Sequence, residues 1–121
     1  MIRVPLVLAL LAPAVLSASP PAIAITSSYL TGFTPFSTRV RISLTPDHRN
    51  RWVCLYVQQV DGEMVDRTSC WEVQAEQEAR TTWKTLQLDA GEWDITAAVL
   101  RNDDQGVLSN RLTAHVFSPS R

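Results

Sequence analysis

The stretch Leu86-Gln87-Leu88-Asp89-Ala90-Gly91-Glu92-Trp93-Asp94-Ile95-Thr96-Ala97-Ala98-Val99 decides the fold class. Trp93, Ile95, Ala97 and Val99 alternate with Asp94, Thr96 and Ala98. A period of two sends successive side chains to opposite faces of an extended chain, so one face enters a core and the other meets solvent. Gly91 lies between the end of one strand at Leu88 and the start of another at Trp93, where the chain must cross from sheet to sheet. A positive φ is expected there, because glycine adopts it without steric cost. Trp93 is then the aromatic anchor of that corner.

The same period recurs outward in both directions. Val40, Ile42 and Leu44 alternate with Arg39, Arg41 and Ser43. The run Trp52 to Val60 is β-branched and aromatic and ends at Asp61-Gly62, a hairpin signal whose second arm is Met64 to Val73. Thr81 to Leu88 is a further strand. After the turn-rich Asn102-Asp103-Asp104-Gln105-Gly106, the series Leu108, Leu112, Ala114 and Val116 supplies the last one. Pro35, Pro46 and Pro119 fall outside these runs, where proline belongs. Only Gln74 to Arg80 has helical composition, enough for one surface turn. The expectation is all-β: a two-sheet sandwich of about seven strands, with a closed barrel as the alternative. Its core takes the even-numbered face of 40–44 and the odd-numbered face of 93–99.

The first residues read as an address. Arg3 precedes an uncharged apolar run from Val4 to Leu16, shorter than the ~20 residues of a spanning helix. Ala22-Ile23-Ala24 has the small-x-small pattern of a signal peptidase site, with Ala18 as a second possible cut. Residues 1–24 are therefore expected to be a signal peptide and 25–121 one domain, secreted or periplasmic. Leu16-Ser17-Ala18-Ser19 has serine where a lipoprotein signal carries cysteine, so no lipid is attached. No later stretch is apolar enough to span a membrane. The net charge is -1 and Lys84 is the one lysine, the other basic residues being scattered arginines. That excludes a basic cluster for nucleic acid or anionic lipid.

The 86–99 stretch, with Gly106 to Val116 and its Ser109-Asn110, resembles the end of a fibronectin type III or bacterial immunoglobulin-like domain: a leucine closes one strand, a glycine turn follows, and an aromatic opens an alternating strand. On that resemblance 38–45 is the second strand, 51–60 the third and 64–73 its hairpin partner. Such domains are mostly spacers, adhesion modules or binding scaffolds, although fold does not dictate function.

If the hairpin arms pair around Asp61-Gly62-Glu63, opposed residues have numbers summing to 124, and Cys54 faces Cys70. An even pair in an oxidising compartment reads as a disulfide, and closing a loop of about 15 residues stabilises by ~3 kcal/mol in the chain-entropy model. Both faces of strand 52–60 are apolar, and only one can meet the core. Trp52, Tyr56 and Trp71 are therefore candidate binding residues if they form a solvent-facing aromatic row. His48 and His115 are the only histidines, and no nucleophile elbow, phosphate loop or metalloprotease motif occurs. No catalytic residue, metal ligand or cofactor is assigned, and the chain is expected not to be an enzyme. The expected function is that of an exported structural, adhesion or recognition module with a protein or glycan partner. The alternatives are a carbohydrate-binding module on the aromatic row and a secreted inhibitor presenting loop 46–50 or 102–106.

Overall fold

The computed structural model describes residues 21–60, 66–73 and 81–119. The expected hairpin tip at Asp61-Gly62-Glu63, the expected surface turn at Gln74 to Arg80 and the expected signal sequence up to residue 20 lie outside the described residues. The period-two runs become β1 (Ile23–Thr26), β2 (Thr31–Phe33), β3 (Phe36–Leu44), β4 (Asn50–Gln59), β5 (Asp66–Glu72), β6 (Thr81–Leu88), β7 (Gly91–Arg101), β8 (Gly106–Leu108) and β9 (Leu112–Phe117). A smaller sheet has the order β1-β3-β6. A larger one has the order β2-β9-β7-β4-β5, with β8 also beside β7. The protein is thus all-β, with nine strands among the described residues.

The two expected faces are the buried ones. Val40, Ile42 and Leu44 of the smaller sheet meet Trp93, Ile95, Ala97 and Val99 of the larger, joined by Val53, Leu55, Val57, Ala114 and Val116. Gly91 has φ 138°. Trp93 is 1% exposed, and its indole Nε1 donates to the Asp89 carbonyl at 2.9 Å, across the corner that Gly91 makes. A buried indole N–H without a partner would cost about 1–3 kcal/mol, so the corner solves packing and polarity together.

β4 and β5 pair in the expected register, Cys54 opposite Cys70 and Val53 opposite Trp71. The cysteines form a disulfide with Cα atoms 4.1 Å apart. It staples neighbouring strands of one sheet rather than linking the two sheets.

The strand layout departs from the expectations at two places and adds a strand at a third. β1 begins at Ile23, which is 1% exposed and pairs with Leu44. Thr45 N and Oγ1 donate to the Ala22 and Pro21 carbonyls at 2.9 and 2.6 Å. A domain boundary at Ile25 therefore falls inside a strand, and the folded unit reaches back to Pro21. The last strand is two pieces, because Ser109 and Asn110 turn their side chains onto backbone: Ser109 Oγ accepts from Ala97 N at 2.9 Å. Asn110 Oδ1 accepts from Ile25 N at 2.9 Å while its Nδ2 donates to Ile25 O at 3.0 Å, tying β1 to the opposite sheet. Finally, β2 crosses to the larger sheet and pairs parallel with β9.

Trp93→Ala removes a large, fully buried ring and is expected to cost ~3–5 kcal/mol in urea unfolding. Gly91→Val, forced into a left-handed φ, is expected to cost about 1–3 kcal/mol. Trp52→Ala, at a residue 45% exposed, is expected to cost no more than about 1 kcal/mol.

Candidate functional site

β4 has a bulge between Asn50 and Trp52. An extra residue re-aims the side chains on either side of it. Asn50 consequently turns inward with Arg101 as its cross-strand partner, and Trp52 turns outward with Leu100. Asn50 is fully buried and satisfied: Nδ2 donates to the Thr45 carbonyl at 3.1 Å, and Oδ1 accepts from Arg101 Nε at 3.2 Å.

The outer face of the larger sheet follows from this register. Trp52 lies beside Leu100, and the Cys54–Cys70 bond lies in one row with Ala98 and Leu108. Tyr56, half-buried, lies beside Thr96. Trp52, Leu100 and Leu108 are 45%, 37% and 69% exposed. Gly106 leaves room for the Leu100 side chain here, since a Cβ at that position would stand 3.3 Å from Leu100 Cδ2. A cleft of roughly 440 Å³ beside Trp52 and Leu100 is walled by Arg51, Asn102, Asp104 and Gln105.

Trp71 does not belong to this row. It stands opposite Val53, hence on the inner side of the sheet, packed against the core with the Lys84 ammonium 4.3 Å from its ring centre. The three-ring row is corrected to Trp52 and Tyr56 alone. The parity of the pairing gives the reason: a residue opposite buried Val53 shares its face.

The loops 46–50 and 102–106 meet at the Arg101 end of this face. Asp47 accepts from Arg49 Nη2 at 2.9 Å, Nε at 3.0 Å and backbone N at 2.9 Å, and lies 3.6 Å from Arg101 Nη2. Arg49 also reaches Asp103 at 3.6 Å. The Arg49 side-chain and backbone hydrogen bonds hold the Asp47 carboxyl well below the usual carboxylate range. The same pairing raises the Arg49 guanidinium above its ordinary value. Asp103 additionally accepts from Gln105 N at 3.1 Å, which makes it a turn-former. His48 lies in the 46–50 loop and His115 stands on β9 opposite Glu92, at the other end of β7. Among the described residues no three His, Cys, Asp or Glu side chains converge as a metal site.

No family model matches the sequence. No curated protein matches it either. Solved structures do. The superoxide reductase (neelaredoxin) from Ignicoccus hospitalis aligns with a TM-score of 0.63 and 19% identity over 85% of this chain and 86% of that one. A chain from the structure that describes T cell specificity and activation by the bacterial superantigen toxic shock syndrome toxin-1 aligns with a TM-score of 0.55 and 12% identity over 81% of this chain and 100% of that one.

These likenesses carry the all-β fold and nothing finer, and neither structure is described as an immunoglobulin-like or fibronectin type III domain. One expectation is overturned. The superoxide reductase is an enzyme on a similar architecture, so the lack of familiar motifs does not exclude catalysis here. At 19% identity its activity does not transfer.

Asp47 has a folded-state pKa below its unfolded one. Its contribution to stability is therefore fully present above pH ~4 and is lost as acid protonates the carboxylate. Asp47→Asn is expected to lower the melting temperature at neutral pH, and the gap to the parent protein is expected to narrow steadily below pH ~4.

Proposed function

We propose that this chain is an exported immunoglobulin-like recognition module that binds a protein partner non-covalently through the outer face of its larger sheet. The observation that carries the reading is the exposure of Trp52, Leu100 and Leu108 together on strands whose other face already supplies a complete core. Apolar side chains at such positions do nothing for the core, and grouped exposure of this kind marks interaction surfaces. The Cys54–Cys70 bond beside them and the hydrogen-bonded Asn50 behind them brace the face, which lowers the ordering cost of binding.

The immunoglobulin-like assignment is supported by the strand order, in which β1, β3 and β6 face a sheet built on β9, β7 and β4. It is also supported by the aromatic corner at Trp93, whose polar atom reaches backbone upstream. Export is supported by the disulfide, which suits an oxidising compartment. No helix among the described residues is long and apolar enough to cross a membrane. Because β1 starts at Ile23, the cut that preserves the domain is the one after Ala18.

Intact mass of the exported protein is expected to place the new N-terminus at Ser19. A terminus at Ile25 would mean the domain functions without the Ile23 pairing. A photoreactive phenylalanine analogue at Leu108, in the secreting host, is expected to trap one discrete protein, and Trp52→Ala is expected to abolish that adduct. The same probe at Gln87, on the opposite sheet, is expected to trap nothing comparable. No adduct from position 108, or equal adducts from both positions, removes the proposed face.

A further inference from the structure

The outer face of the smaller sheet has a different chemistry, independent of the reading above. The register of β3 on β6 directs Ser37, Arg39, Arg41, Trp83, Thr85 and Gln87 outward. Neither Asp nor Glu occupies an outward position of β1, β3 or β6. Trp83 is 50% exposed and Tyr29, on the segment before β2, is 70% exposed. Between them lies a cleft of roughly 450 Å³ that also presents the hydroxyls of Ser28, Ser37 and Thr85, within the size range of small-molecule sites.

The cleft is built rather than accidental. Thr38 is buried, and its Oγ1 donates to the Tyr29 carbonyl at 2.5 Å and shares a hydrogen bond with Ser27 Oγ at 2.8 Å, fixing the Tyr29 wall. Arg39 lies with its guanidinium carbon 4.4 Å from the Trp83 ring centre. Contact with a ring engages the flat face of a guanidinium and leaves its N–H donors in the plane. Arg49, Arg67, Arg101 and Arg111 already donate to carboxylates, a carbonyl or an amide. Among the described residues, Arg39 and Arg41 donate to nothing. They stand two positions apart on one strand, about 7 Å along it.

We propose that this face binds an acidic polysaccharide, with Trp83 and Tyr29 stacking on sugar rings and Arg39 and Arg41 taking uronate carboxylates. Guanidinium and carboxylate match in a bidentate fork, serine and threonine hydroxyls pair with sugar hydroxyls, and half-exposed aromatic rings cover apolar C–H faces. A nucleic-acid strand fits less well. Its backbone calls for a cationic track, and only two guanidiniums project here.

Tetragalacturonate titrated into the purified, disulfide-bonded protein, followed by tryptophan fluorescence and calorimetry, is expected to bind saturably and to weaken at high salt. Arg39→Gln and Arg41→Gln are each expected to weaken it about tenfold. Trp83→Ala is expected to abolish binding with the unfolding midpoint retained, while His115→Gln, on the opposite sheet, leaves the affinity unchanged. Fully methyl-esterified tetragalacturonate and neutral maltotetraose are expected not to bind. Absent binding of tetragalacturonate, equal binding of maltotetraose, or unchanged affinity in both arginine variants overturns the proposal. Tighter binding of an oligothymidylate with the same variant sensitivity also overturns it, reassigning the face to nucleic acid.

Discussion

Burial of one large indole disciplines the rest of the chain. Trp93 gains from a dry interior only if its N–H finds an acceptor there, and the Asp89 carbonyl is within reach only because the backbone turns sharply at Gly91. That turn delivers the chain from β6 in one sheet to β7 in the other. β7 is the strand on which the larger sheet is assembled, with β4 on one side and both β8 and β9 on the other. The inward row that begins at Trp93 continues through Ile95, Ala97 and Val99, so the corner also sets which parity of β7 faces the core. A one-residue slip would put every one of those side chains in solvent.

A two-layer sandwich leaves open edges, and long cationic side chains close one of them here. β5 ends the larger sheet and β6 ends the smaller. Trp71 on the inner side of β5 receives the Lys84 ammonium from β6 at 4.3 Å. Arg67 lies over the Trp93 ring at 5.2 Å and donates to the Gln87 carbonyl at 2.6 Å. Such side chains cover apolar surface with their stems and keep the charge near water. The single lysine of the chain is thus accounted for structurally. The disulfide reinforces the same edge from outside, because among the described residues β5 is held in the sheet by β4 alone.

Much of this was legible in local pattern, since alternation at 40–44 and 93–99 specifies both strand and face. The register of β4 on β5 was legible too, and it already implied that Trp71, opposite Val53, faces inward. Trp83 also carried its signal: Leu86 and Leu88 have the parity opposite to Trp83, so a ring at that position must point outward. What local pattern could not reveal depends on partners distant in the chain. β2 has three residues and acquires its identity only by pairing with β9. Asn110 looks like a loop residue until its amide meets both backbone groups of Ile25. The bulge at Arg51 has no turn signal, and without it Asn50 would face outward and the Asp47–Arg101 network would have no centre.

Fold and exposed surface are therefore written on alternate residues of the same strands. Inner positions are constrained by packing at the level of single methylene groups, whereas outer positions answer only to solvent and to whatever binds. The two outer faces differ in chemistry. One carries Trp52, Leu100 and Leu108 around a disulfide, and the other carries Arg39, Arg41 and Trp83 among hydroxyls. They point away from each other across a shared core, so occupancy of one does not obstruct the other. With the proposed ligands, a domain of this size would hold an apolar protein surface on one side and an anionic polymer on the other.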